Sequence, residues 1–265
     1  MNKNQTCYLF FDLDGTVLKK GTLPDEHLQA MKSAQALGHK LILNTGRSRG
    51  NTLPIDAVFD VPWDGMVFGG GAEIRWKNEI LYRQTVCRED CLAWLTYCLG
   101  KHRNITFGGS ETRLLFDVKA DPSLCSDENW DACVARLDTM LETDCITNLT
   151  VGGGVLPSDP PKTDMTVIQL PTYTDIFPPY CDKGMSVLRF CDMIDAPLAQ
   201  CVCFGDSQND LAMFRVCPTG ICMDHAPKEL IALSTYHAKT ELGVAEGLQF
   251  LFGLDGTTAQ TESSL

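Results

Sequence analysis

The sequence of 265 residues is short of basic side chains, and this shortage excludes one class of partner. It has 22 lysines and arginines against 34 aspartates and glutamates, which gives a formal net charge of -12. A groove that binds nucleic acid needs a basic face, so no nucleic-acid partner is expected. A small phosphorylated ligand remains compatible with this composition, because a local cation can override the global charge.

The sequence also lacks long apolar stretches. None is long enough to span a bilayer, so no membrane partner is expected. The short apolar run near the start reaches acidic residues too early for a signal peptide. We therefore expect a cytoplasmic protein. The sequence does not indicate an oligomeric state.

Paired metal-binding cysteines are absent as well. The 13 cysteines are scattered from Cys7 to Cys222 without a CxxC pair, so a zinc site is not expected. An odd number of cysteines spread in this way is typical of buried free thiols that act as small hydrophobic side chains.

Strands and helices alternate at both ends of the chain. The apolar runs "CYLFFDL", "KLILNTG" and "CVCFGD" are typical of strands buried on both faces. Their alternation with helical patterns predicts an α/β fold, with a Rossmann-like parallel sheet as its core. The middle of the chain shows hairpin and helix patterns that predict an inserted α+β cap domain. The predicted core is 1–75 and 182–254, the cap is 76–181, and the polar tail 255–265 is expected to be disordered.

Two aspartates follow the first predicted strand. Asp12 and Asp14 end the run "YLFFDLD", and residues i and i+2 of a strand point to one side. Two such carboxylates repel unless a cation lies opposite, and Mg²⁺ suits oxygen ligands. One aspartate can also attack phosphorus while the other exchanges protons with the leaving alcohol and with water. The alternative is an Asp-Gly turn without a catalytic role.

Two further strands end in small and polar residues. Thr45 and Gly46 offer a hydroxyl and backbone amides that suit a phosphate oxygen. Asp206 is a candidate second metal ligand, and Asn209 and Asp210 would support it from the next helix. Because ligands bind beyond the carboxyl ends of parallel strands, we expect these groups to meet the aspartate pair.

Two cationic side chains could complete the site. Lys183 begins a helix directly after the predicted insert, where its ammonium would neutralise a phosphate and Asp12. A lysine at such a position is, taken alone, more often an exposed surface residue. Arg47 could bind a phosphate or a sugar hydroxyl through its planar guanidinium, or it could simply begin a helix at the surface.

Taken in order, "DLDGT", "NTGR", "DKG" and "GDSQND" resemble the four motifs of the haloacid dehalogenase (HAD) superfamily. The resemblance is closest to its Cof-type phosphatase branch, which carries the larger α/β cap between the second and third motifs. It covers the core almost end to end, but hardly the insert.

The resemblance implies a role for each motif residue. Asp12 matches the nucleophile, and Asp14 matches the general acid/base. Thr45 matches the phosphate-binding hydroxyl, and Lys183 matches the charge-neutralising lysine. The family binds Mg²⁺ through the first aspartate, the backbone carbonyl of the second and the motif-four aspartate, which here are Asp12, Asp14 and Asp206.

The predicted function is therefore a Mg²⁺-dependent phosphatase that hydrolyses small phosphate monoesters, such as sugar phosphates, through an aspartyl-phosphate. The residues expected to bind the phosphate or the substrate are Thr45, Gly46, Arg47, Lys183 and Asn209. A phosphotransferase or phosphomutase on the same core is an alternative. A non-catalytic phosphate-binding protein is another, but its mark would be the loss of Asp12, Asp14 or Lys183, and none is lost.

Two positions depart from the Cof-type pattern near the expected mouth of the site. Gly70 stands where an asparagine is common, and Asp224-His225 stand where Gly-Asn is common. These departures put the usual substrate contacts in doubt, but not the phosphoryl chemistry. His225 is either a proton relay or a partly exposed loop histidine. In the insert, Trp94 and Tyr97 lie at helical spacing and are expected in the core rather than as a sugar platform.

Overall fold

The computed structural model describes residues 5–254, and the predicted tail 255–265 lies outside them. The strands of the described range, β1 to β13, are Tyr8–Phe11, Lys40–Asn44, Gly65–Phe68, Glu73–Trp76, Glu79–Arg83, Ile105–Gly109, Arg113–Phe116, Ile146–Gly152, Thr166–Gln169, Tyr173–Phe177, Cys201–Gly205, Thr219–Cys222 and Tyr236–His237. Its α-helices, α1 to α9, are Asp25–Ala36, Arg49–Thr52, Asp56–Phe59, Arg88–Gly100, Trp130–Thr143, Lys183–Met193, Leu211–Val216, Lys228–Leu233 and Gly243–Phe252.

The larger of two sheets has eight strands in the order β13-β12-β11-β1-β2-β3-β4-β5. The strands from β13 to β3 run parallel, and β4 and β5 form an antiparallel hairpin at one edge. Helices cover both faces. The predicted α/β fold class is thereby confirmed.

Alternating side chains of β1 enter two different hydrophobic cores. Leu9 and Phe11 join the core formed with α1 and α9, whereas Phe10 joins the core formed with α6, α7 and α8. All three side chains are completely buried. A strand that is covered on both faces has no position for a polar residue, which explains the continuous apolar run before Asp12.

The smaller sheet has five antiparallel strands in the order β7-β6-β8-β10-β9. Helices α4 and α5 pack on one of its faces around a separate hydrophobic core. Trp94 is fully buried there in an edge-to-face contact with Tyr97, whose hydroxyl donates to the Pro157 carbonyl at 2.6 Å. The expectation that this aromatic pair belongs to the core is confirmed.

The hairpin of β4 and β5 spans the predicted start of the insert at residue 76. A boundary at residue 76 would separate these strands, but β4 pairs with β3, and β5 pairs with β4, in the larger sheet. The hairpin therefore continues the larger sheet at its edge. We propose that the cap lies between Arg83 and Lys183.

Most of the 13 cysteines are buried, and residues 5–254 contain no disulfide. Their burial agrees with the interpretation that they act as small hydrophobic side chains. Within the same described range, every helix is too short or too polar to cross a membrane.

Candidate active site

Four separate segments bring charged and polar side chains to one edge of the larger sheet. Asp12 follows β1, Thr45 follows β2, Asp206 follows β11, and Lys183 begins α6. These three strands are parallel neighbours, so their carboxyl ends lie side by side. The topology therefore places the predicted residues where a ligand of an open parallel sheet binds.

The Lys183 ammonium is the counterion of two buried carboxylates. Its Nζ donates to Asp12 Oδ1 and, at 2.6 Å, to Asp210 Oδ1, and its side chain is 2% exposed. A longer contact of 3.4 Å reaches Asn209 Oδ1. Burial alone would lower the pKa of Lys183, but the two carboxylates raise it overall, so the ammonium stays charged.

Residues on either side of Lys183 fix its position. The Asp182 carboxylate caps α6 by accepting hydrogen bonds from the amides of Gly184 and Met185 at 2.7 and 2.8 Å. A side chain at Gly184 would approach the Ala212 carbonyl oxygen to 2.6 Å, so only glycine fits. Each residue of the motif "DKG" therefore has a physical role, as helix cap, buried ammonium and point of close packing.

The acidic side of the site is a cluster of three carboxylates. Asp12, Asp206 and Asp210 each place an oxygen within 4.8 Å of the other two. Burial, together with the charges of the other two carboxylates, raises the pKa of Asp12, and the Lys183 ammonium opposes this shift. Burial also raises the pKa of Asp206. Three carboxylates and one ammonium leave excess negative charge, which a divalent cation with oxygen ligands would neutralise.

The two residues after Asp14 hold Asp206 in place. Gly15 has a φ of 85°, and a side chain there would overlap the Asp206 carboxylate. Thr16 donates its hydroxyl to Asp206 Oδ1 at 3.2 Å. The motif "DLDGT" therefore needs glycine both for its backbone conformation and for the close approach of the acid.

Asp14 forms an ion pair with Arg47. The Nε and Nη2 atoms of Arg47 donate to the two Asp14 oxygens at 2.6 and 3.0 Å, a bidentate geometry specific to arginine. The side chains are 37% and 50% exposed, respectively. The Arg47 amide also donates to Thr45 Oγ1 at 3.1 Å. The predicted acid/base and the predicted phosphate-binding arginine therefore contact each other here.

The departures from the family pattern occupy different parts of the site. His225 Nε2 lies 3.2 Å from Asp206 Oδ2, and its Nδ1 lies 2.9 Å from Asp224 Oδ1. The His225 side chain is 48% exposed, as expected of a loop histidine. Gly70 has a φ of 59°, and a Cβ added there would lie 3.1 Å from the Phe177 ring, so an asparagine would require that ring to shift slightly.

A cavity of about 410 Å³ lies between the two sheets and is open to the acidic cluster. From the larger sheet and its loops it is lined by Asp12, Asp14, Thr45, Gly46, Arg47, Asn51, Ser207 and Asn209. From the smaller sheet it is lined by Thr106, Arg113, Thr150, Tyr173 and Asp175. Its size suits a small metabolite.

The motif order and this geometry agree with a family model. A model described as haloacid dehalogenase-like hydrolase matches residues 9–132 and 156–248, most of the chain. The chain is a haloacid dehalogenase-like hydrolase. This confirms the predicted superfamily, the Cof-type resemblance and the prediction of a hydrolase.

Two curated relatives resemble this HAD-like hydrolase over nearly its whole length. A Streptococcus pyogenes protein, provisionally named a phosphatase, is 22% identical, with 90% of this chain and 95% of that protein aligned. A chloroplastic Arabidopsis thaliana protein named as the endoribonuclease YBEY is 23% identical over 88% of this chain. The match spans only 44% of the Arabidopsis protein, so its name does not carry over to this chain.

Two solved structures share the fold. A HAD subclass IIB sugar phosphatase superposes with a TM-score of 0.71 at 21% identity, over 94% of this chain and 99% of that one. A HAD-superfamily phosphatase from Bacteroides thetaiotaomicron superposes with a TM-score of 0.75 at 17% identity, over 95% and 97%. At these identities the likeness establishes the fold alone.

The cavity residues of the smaller sheet are not among the site residues predicted from the sequence. Thr150 of β8 lies opposite Thr106 of β6 and Asp175 of β10, so the three form one row across the sheet. The next residues along, including Leu149 and Ile176, point into the core of the cap. In the sequence, this alternation of core-facing and cavity-facing residues is the signal that could have identified the cavity residues. It was not used because no strand was predicted over 146–152 or 173–177.

Asp175 is a buried acid on the cavity wall. Thr150 donates its hydroxyl to Asp175 Oδ1 at 2.8 Å, and no other described residue donates to this carboxyl. Burial raises the pKa of Asp175 to about 7, against smaller opposing effects of Thr150, Lys183 and Arg47. The carboxyl is therefore partly protonated near neutral pH. Its Oδ2 packs close to the backbone of Gly46.

Replacing Asp175 by asparagine should change how stability depends on pH. In the wild type, the raised pKa means that the folded state holds a proton which the unfolded state has released, so stability falls between about pH 4 and pH 7. The Asp175→Asn variant lacks this pH-dependent loss. The unfolding free energy of the variant minus that of the wild type should therefore be about 2 to 4 kcal/mol larger at pH 8 than at pH 4. Urea denaturation followed by tryptophan fluorescence measures this difference.

The matched control is Asp164→Asn, because Asp164 is an exposed aspartate between β8 and β9. This variant removes one exposed carboxylate away from the cavity, so it corrects for the general effect of an Asp→Asn substitution on stability. Parallel pH profiles for Asp175→Asn and the wild type would show that this carboxyl is not held in its neutral form by burial.

Proposed function

We propose that this HAD-like hydrolase is a Mg²⁺-dependent phosphatase that hydrolyses small phosphate monoesters, such as sugar phosphates. The observation that carries the proposal is the contact between the Asp12 carboxylate, which lines the cavity, and the buried Lys183 ammonium, with Asp206 in the same carboxylate cluster. A single bound phosphate group could therefore contact both the nucleophile and the cation that neutralises its charge. The resemblance to a sugar phosphatase and to a protein named as a phosphatase supports the substrate class.

In the first step, an Asp12 oxygen forms a bond to phosphorus while the ester P–O bond breaks. Asp14 gives its proton to the leaving oxygen, which departs as an alcohol. The Lys183 ammonium, the Thr45 hydroxyl and the Gly46 amide stabilise the phosphoryl oxygens.

In the second step, water attacks the phosphorus of the aspartyl-phosphate. Asp14, now ionised, takes a proton from that water, and the bond between phosphorus and the Asp12 oxygen breaks. Inorganic phosphate leaves, Asp12 returns as a carboxylate, and Asp14 is protonated again. Both steps balance without any further reactant.

Arg47 gives Asp14 a resting position at the edge of the cavity. Because a phosphate is also a strong bidentate acceptor, a substrate would compete with Asp14 for the Arg47 guanidinium. Substrate binding would then release Asp14 from this ion pair, and the freed carboxylate would take up a proton from solvent before it reaches the leaving oxygen. In this way Arg47 could bind the phosphate and Asp14 could act as the acid/base, although the two side chains contact each other before substrate binds.

The acidic cluster fits a divalent cation, and Mg²⁺ is the proposed one because every available ligand is a hard oxygen. Carboxylate oxygens of Asp12 and Asp206 and the Asp14 backbone carbonyl would hold it. The supporting residues are Asn209 and Asp210, and Asp210 accepts the amides of Asp206 and Ser207 at 2.9 and 3.0 Å. When bound, the ion would offset negative charge on the transferring phosphoryl group.

The Asp12→Asn variant should lose at least about a thousandfold in kcat, because the amide cannot attack phosphorus. Release of inorganic phosphate from p-nitrophenyl phosphate and from sugar phosphates measures this. Asp60→Asn, which alters an exposed aspartate, is the control and should keep wild-type activity. Substantial hydrolysis by purified Asp12→Asn would rule out the proposed nucleophile. An isomeric sugar phosphate instead of inorganic phosphate would favour the mutase alternative.

The Asp206→Asn variant should need at least about tenfold more Mg²⁺ for half-maximal activity, because it lacks one charged ligand. A second readout is thermal stability. Mg²⁺ should raise the melting temperature of the wild type through mass action, and raise that of the variant much less at the same concentration. Asp60→Asn again serves as the control. An equal rise in both proteins would contradict the assignment of Asp206 to the metal.

A further inference from the structure

Arg113 is a cationic side chain that the proposed chemistry does not use. It begins β7, lines the cavity from the cap side and is exposed. Within residues 5–254, its guanidinium has no hydrogen-bond or ion-pair partner. The other cations at the cavity are engaged, since Arg47 pairs with Asp14 and Lys183 is buried against the acidic cluster.

The backbone that carries Arg113 is fixed. Asp144 accepts hydrogen bonds from three consecutive amides of the preceding turn, residues 110–112, at 2.7 to 3.1 Å. Arg49 donates to a carbonyl of the same turn at 3.1 Å. Gly50 of α2 packs so closely against this turn that a side chain at Gly50 would overlap its backbone. The turn thus ties the start of β7 to the larger sheet's side of the cavity.

Polar groups lie between Arg113 and the acidic cluster. Thr106, Thr150 and Asp175 form a row across the sheet with neighbouring strands about 4.8 Å apart. Leu115 lies opposite Thr106, and Arg113, two residues earlier on β7, is on the same face. At one end of the row Asp175 lies near Gly46, and the other end of the row is on the side of Arg113. Hydroxyl groups of a ligand could form hydrogen bonds with the side chains of this row.

We propose that the substrate carries a second anionic group, a carboxylate or a further phosphate, and that Arg113 binds this group. The inference rests on the proposed phosphatase function and names its substrate class, a small polyhydroxylated phosphate monoester with an acidic far end. Its scissile phosphate lies against Lys183 and its hydroxyls along the threonine row. Arginine suits the far anion because its planar guanidinium pairs bidentately with carboxylate or phosphate.

Two matched pairs of ligands test this proposal. Sorbitol 6-phosphate and 6-phosphogluconate share an open chain and differ in one carboxylate. Fructose 6-phosphate and fructose 1,6-bisphosphate differ in one phosphate. Binding is measured by titration calorimetry in Mg²⁺ with the Asp12→Asn variant, which retains the ligand without turnover. The more anionic member of at least one pair should bind about tenfold more tightly, and the pair that does so identifies the anion.

Arg113→Gln in the same background should abolish that preference, and added salt should weaken it because Arg113 is exposed. Lys119→Gln removes one charge from an exposed position of the cap outside the cavity and should leave the preference intact. Equal affinity within both pairs, no binding of either acidic ligand, or a preference that survives Arg113→Gln would overturn the inference. Phosphate release by the wild type from p-nitrophenyl phosphate separately decides the phosphatase function.

Discussion

The arrangement of this site depends on one buried ammonium shared between two carboxylates. Lys183 belongs to the helix after the cap, Asp12 follows the first strand, and Asp210 follows the strand that ends in Gly205. Removing three charges from water is costly, and only their mutual contact makes the burial tolerable. The ion pairs therefore fix three distant segments relative to one another, and Asp206, the proposed metal ligand, is oriented by its neighbours in the same cluster.

The cap is tied to this centre through the chain itself. β10 of the smaller sheet ends at Phe177, shortly before Lys183 begins α6, so the strand that carries Asp175 leads directly to the buried ammonium. Asn148 of β8 donates to the Gly46 carbonyl at 3.2 Å, which joins the cap to the loop proposed to bind phosphate. The cavity between the sheets is therefore lined by the proposed catalytic residues on the side of the core and by polar residues on the side of the cap.

The core of the site could be predicted from sequence because parallel strands impose it. Once the runs before Asp12, Thr45 and Asp206 are taken as parallel neighbours, their carboxyl ends must meet. The pairing of Asp14 with Arg47 could not be predicted, since it depends on side-chain directions in two loops. The cap wall was missed for a different reason. Thr150 and Asp175 become neighbours only through the register of an antiparallel sheet, which is set by packing of residues far apart in sequence.

The most direct measurement is a double-mutant cycle between Lys183 and Asp210, using urea denaturation in metal-free buffer. Lys183→Met should cost about 3 to 5 kcal/mol of unfolding free energy, because it leaves buried carboxylates without their cation. Adding Asp210→Asn should restore part of that loss, which gives a coupling energy of at least about 1 kcal/mol. Unchanged stability of Lys183→Met, or additive effects of the two substitutions, would contradict the claim that this shared ammonium holds the site together.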